Sequence, residues 1–78
     1  LIQLALAAEE ENPVRSNFLR QYGVERLPAD ASICRRAAGM LLAQKDKARA
    51  TAVLEKAVKL DPNSTELPAL KKALEELK

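Results

Sequence analysis

Histidine and tryptophan are both absent from this chain. Without an imidazole it lacks the usual general base, the commonest metal ligand and the side chain that titrates near neutral pH. A single cysteine, Cys34, rules out an intrachain disulfide and any cysteine-cluster zinc site. Aromatic residues make up 3% of the chain, Phe18 and Tyr22 alone, which leaves almost nothing on which bases or sugars could stack. β-Branched residues are sparse and never alternate, so no strands are expected. No apolar run approaches the roughly 18 residues needed to span a bilayer. The opening stretch Leu1–Ala8 is short, three glutamates follow it, and no basic-then-apolar signal peptide is present. No cofactor is implied.

What remains is helix-forming material. Seventy-eight residues make one small domain. The 47% hydrophobic fraction is mostly Ala, Leu and Val, the composition of helices that approach closely through alanines. The chain opens without Met and reads as a segment of a longer protein, compatible with cytoplasm or periplasm equally. Net charge is +2 and uneven: −2 over residues 1–30, +4 over 31–64 and 0 over 65–78. A mildly basic centre follows, too weak to imply a polyanionic partner.

Five helices are predicted. The first covers about Leu1–Glu11, ending before Asn12-Pro13, because a residue preceding proline disfavours the α conformation. The second starts at Pro13, presents Val14, Phe18, Leu19 and Tyr22 on one apolar face, and stops at Gly23. Asp30 or Ser32 caps the third, which carries Ile33, Cys34, Ala37, Ala38, Met40, Leu41 and Leu42 and runs to about Gln44. Asp46 caps the fourth, with Ala50, Val53, Leu54, Ala57, Val58 and Leu60 inward. A Leu60-Asp61-Pro62-Asn63 corner breaks it. The fifth begins near Thr65, places Pro68 in its first turn and carries a stripe of Leu67, Leu70, Leu74 and Leu77. Connectors this short make consecutive helices antiparallel.

Residues 31–64 resemble a tetratricopeptide repeat, a helix–turn–helix unit of 34 residues. With Pro62 on the family's late proline, small Ala38, Ala50 and Ala57 and large Leu41 and Leu54 fall on the family's alternating small and large places without a gap. Cys34 stands where Trp is frequent, Ala37 where Leu is usual, and Lys45 where a turn glycine is common. Residues 1–28 look like a degenerate preceding hairpin: Pro28 precedes Pro62 by one repeat length, yet Ser16, Arg20 and Gly23 then land on core positions, which suggests a shifted register. Residues 65–78 look like a terminal solvating helix. The resemblance implies an all-α fold of antiparallel helical hairpins, a superhelix fragment of about five helices. It also implies a non-catalytic protein–protein interaction or assembly scaffold, part of a larger protein. The Ala- and Lys-rich style fits bacterial repeat proteins.

In that family the first helix of each hairpin lines a concave binding face, which here implicates Ser32, Arg35, Arg36, Gly39, Leu42 and Ala43. The two arginines beside Leu42 suit a protein or peptide segment carrying a carboxylate and an apolar anchor. Gly39 is costly inside a helix and implies close approach, by a neighbouring helix or by a ligand backbone. The alternative function is homo-oligomerisation, through the N-terminal face or the leucine stripe. A nucleic-acid-binding helical domain is more distant, because acids interleave the basic residues. Catalysis is not expected. Cys34 has no base beside it, and Glu9, Glu10 and Glu11 are consecutive residues that diverge around a helix end.

Overall fold

The computed structural model describes residues 1–77. Five helices follow one another: α1 (Ile2–Glu9), α2 (Pro13–Glu25), α3 (Ala31–Ala43), α4 (Lys47–Leu60) and α5 (Leu67–Glu76). The protein is all-α, as the composition predicts. Helix α1 ends earlier than expected, at Glu9, with Glu10 already extended. The Asn12 side chain then accepts from the Val14 and Arg15 amides and caps α2. Asp30, not Ser32, caps α3 by accepting from Ile33, and Asp46 caps α4 by accepting from Arg49. Each cap satisfies backbone donors that the first helical turn leaves unpaired.

The elements form two layers. In one, α1 and α5 flank α3; in the other, α2 lies beside α4. The Cα extents of 37 × 27 × 15 Å fit this, since two helices packed about 9 Å apart, each with a Cα radius of about 2.3 Å, give a slab of about 14 Å. The core runs through both hairpins and comprises Leu4, Leu27, Cys34, Ala37, Ala38, Leu41, Ala50, Val53, Leu54, Ala57 and Leu67. Ala37, Ala38 and Ala57 are wholly enclosed, so the α3–α4 seam is set by backbones meeting across methyl groups.

The first hairpin packs differently from the sequence-based expectation. Val14 and Phe18 are exposed, and α2 buries Ser16 and Gly23 in their place. Gly23 does not stop α2, which continues to Glu25. Its missing side chain lets the helix sit against Leu4, and a Cβ there would lie 3.1 Å from Leu4 Cγ. The Ser16 hydroxyl donates to the Ala7 carbonyl at 2.9 Å, which accounts for its burial. No register shift is needed. Leu4, Ala7, Ser16 and Gly23 are buried, and so are Ala38, Leu41, Ala50 and Ala57, each 34 residues later. The caps Asn12 and Asp46 keep the same interval. On α4, Leu60 is exposed, because the chain turns at Asp61-Pro62 immediately after it.

The same interval continues into α5 with different chemistry. Where α3 places Ala37, Ala38 and Leu41 under α4, α5 carries Lys71, Lys72 and Glu75, all exposed. Its leucines turn the other way: Leu67 is buried, and Leu70 and Leu74 pack on the core. Helix α5 therefore seals one edge of the stack and shows water a charged outer face.

Lys45, between α3 and α4, has φ 60° and is the one non-glycine residue with positive φ among the described residues. Its amide donates to Leu42 and that of Asp46 to Leu41, a pairing that closes a helix C-terminus through one left-handed residue. A side chain in this conformation costs on the order of 1 kcal/mol. Lys45→Gly is therefore expected to raise the melting temperature by about 4–8 °C, read by circular dichroism; a fall would show that unfolded-chain entropy outweighs the strain.

Candidate docking face

Ser32, Arg36, Gly39 and Ala43 recur every three or four residues and so form one stripe along α3. Ser32, Arg36 and Ala43 are at the surface, and nothing stands within 4 Å of where a Gly39 Cβ would be. Gly39 therefore serves no close packing among the described residues. The stripe joins two shallow hollows. One, of about 580 Å³, lies between α3 and α5 and is lined by Ser32, Arg35, Arg36, Thr65, Ala69 and Leu70 among others. The other, of about 430 Å³, lies where α1, α2 and α3 meet and includes Ala8, Glu10, Arg20, Ala43 and Gln44.

Two of the expected contact residues are otherwise engaged. Arg35 is drawn onto α5: its Nε donates to Glu66 at 2.7 Å and its Nη1 to Asp61 at 3.4 Å, and its side chain is only 16% exposed. It fastens the start of α5 to α3. Leu42 packs partly against the core and is not a free apolar anchor. Arg36 is exposed and makes no hydrogen bond or ion pair among the described residues. The free cation of the pair is thus Arg36, and the apolar surface beside it comes from exposed Ala69 and from the part of Leu70 that its packing on the core leaves open to the hollow; spacing placed Leu70 in the α5 stripe but did not single out Ala69.

Beneath the second hollow, a polar network ties the hairpins together. Arg20 donates to Ser16 and to Asp46, both at 2.7 Å, and Arg49 donates to the same Asp46 oxygen at 2.7 Å and to Gln21 at 3.0 Å. Burial raises the Asp46 pKa, but hydrogen bonds from the Arg49 side chain and backbone and from the Arg20 side chain outweigh it, holding the carboxyl below its ordinary 3.8. Gln44 adds a bond from its amide nitrogen to the Leu4 carbonyl at 3.1 Å, while its buried Oε1 has no hydrogen-bond partner among the described residues. Sequence patterning took Arg20 for a misfit in the core; the 34-residue interval to Leu54 was the available signal.

Cys34 is wholly buried, its sulfur 3.6 Å from the Pro28 carbonyl, so the one thiol is shielded from any substrate. Among the described residues no three His, Cys, Asp or Glu side chains are grouped as metal ligands, and no helix is long and apolar enough to cross a membrane. Fold and surface together describe an all-α stack of two helical hairpins with a sealing helix and an open stripe along its middle helix. No known protein family, curated protein or solved structure matches the chain.

Proposed function

We propose that the protein is a non-catalytic protein-binding module of the tetratricopeptide kind, which holds a peptide segment against the stripe of α3. The observation that carries this reading is Gly39: a residue costly inside a helix, facing open space in its own fold, between a free arginine and two hollows. The resemblance of residues 31–64 to a tetratricopeptide repeat and the recurrence of buried positions at that family's interval support it. A bound segment would set a carboxylate on Arg36 and an apolar side chain over Ala69 and Leu70, with its backbone drawn close at Gly39. The stack acts by rigidity, holding these groups at fixed separation before the partner arrives.

Selection of short peptides from a random display library, followed by NMR mapping of the bound site, tests the proposal. Enriched peptides should carry Asp or Glu near an apolar residue, shift the resonances of residues 32–43, and lose binding to the Arg36→Glu variant. Gly39→Ala separates binding from folding. It should stabilise the chain by up to about 1 kcal/mol through helix propensity while weakening peptide binding. Enrichment of peptides that bind elsewhere, or an unchanged affinity in both variants, would overturn the reading.

A further inference from the structure

Arg35 and Arg36 line the same hollow between α3 and α5, yet only Arg36 is without a partner among the described residues. We propose that Arg35 is a second carboxylate subsite of this hollow, filled by the chain's own Glu66 until an acidic side chain of a partner displaces it. The subsite rests on peptide binding along α3 and narrows the partner to a segment with two acidic residues and an apolar one.

The ion pair is lopsided. The Arg35 side chain is 16% exposed, whereas that of Glu66, 2.7 Å from the Arg35 Nε, is 67% exposed. The cation is largely withdrawn from water and needs an anion beside it, while the anion loses little by returning to solvent. Exchange of the exposed partner therefore never leaves the guanidinium bare. Asp61 contacts Arg35 Nη1 at 3.4 Å and keeps the guanidinium in place when Glu66 leaves. Glu66 stands at the start of α5, but its side chain caps no backbone amide there, so no second task fixes it on Arg35. Helix α5 keeps its seat without the pair, because Leu67 is buried and Leu70 and Leu74 pack on the core.

Charge at the hollow points the same way. Arg35 and Arg36 stand against Glu66 and Asp61, two charges of each sign. A partner carboxylate on Arg36 alone meets Glu66 nearby as a like charge. A second partner carboxylate on Arg35 sends Glu66 into water and leaves two arginines facing two partner acids. Glu66 thus repels a segment with one acid and yields its place to the second acid of another, a repulsive element that sharpens selection.

The probes are a display-selected peptide carrying one acidic residue and the same peptide with a second Asp introduced at each position in turn. Affinity is read by isothermal titration calorimetry. The best two-acid peptide should bind Glu66→Gln about tenfold tighter than the native chain, and the one-acid peptide should gain less than about threefold. Adding Arg35→Gln to Glu66→Gln should abolish the larger gain. Both side chains can be changed without opening the core, and helical circular dichroism should be retained. Equal tightening of the two peptides would show long-range charge in place of competition and would overturn the subsite. A gain that survives loss of Arg35 would overturn it too, as would the absence of any second-Asp position with the larger gain. Those three outcomes leave peptide binding at α3 standing, because Arg36→Glu reads it separately. Peptides that map away from residues 32–43 overturn both.

Discussion

Asp46→Ala should lower stability by about 3 kcal/mol, read as a fall in the urea midpoint at unchanged slope. Asp46 caps α4 and is the single acceptor shared by Arg20 and Arg49, with a side chain only 9% exposed. Loss of the cap alone costs about 1 kcal/mol, and the rest comes from leaving two half-buried guanidinium groups without their anion. A domain of this size has a total stability of about 4–12 kcal/mol, so the loss is between about a quarter and three quarters of the whole. Acid should act on the same group. Because the folded-state pKa lies below the ordinary 3.8, the stabilisation is fully present above that value and is lost as pH falls through the lower, folded one. Urea midpoints should be flat above about pH 5 and decline below about pH 4, more steeply for the native chain than for Asp46→Asn. An equal decline in both would assign the acid response to other carboxylates.

Gly23→Leu is the second large effect expected. Even a methyl group here would sit 3.1 and 3.2 Å from the Leu4 side chain and 3.3 Å from Gln3 Cβ, closer than ordinary van der Waals contact. Leu4 is completely buried, so it has no free space to retreat into. The substitution gains about 1 kcal/mol of helix propensity, which partly offsets an overpacking penalty of about 3 kcal/mol. A net loss of about 2 kcal/mol should appear as a melting temperature about 8–16 °C lower. Amide exchange should quicken first in α1 and α2 if the hairpin is forced apart. Unchanged stability would mean that α1 can slide along α2 without cost.

The second hairpin was legible in the sequence because its burial is apolar. Cys34, Ala38, Leu41, Ala50, Val53, Leu54 and Ala57 fall where helical periodicity places them, and Asp46 is a capping residue before an apolar run. Lys45 was marked by the resemblance, which has a turn glycine at that place, and its φ is 60°. Helix α2 misled for a physical reason. Its inward face consists of a glycine, a hydrogen-bonded serine and a paired arginine, so the interior position is marked by small size and satisfied polarity. Val14 and Phe18, the residues that hydrophobicity points to, are left in water. The candidate stripe on α3 was half visible. The resemblance pointed to Ser32, Arg35, Arg36, Gly39, Leu42 and Ala43 together, but the capture of Arg35 by Glu66 depends on a contact across 31 residues, and no local pattern encodes it.

Two side chains that each occur once, Tyr22 and Cys34, sit in different hairpins. Tyr22, the sole intrinsic fluorophore absorbing beyond phenylalanine, lies on α2 with the Arg26 guanidinium 3.3 Å above its ring. Cys34, the sole sulfhydryl, is sealed inside α3. Nature has thus supplied a built-in pair of reporters: emission follows the first hairpin, and trapping by a thiol reagent times the exposure of the second. Whether the slab opens as one body or unzips from the α1 side can be followed without introducing a label.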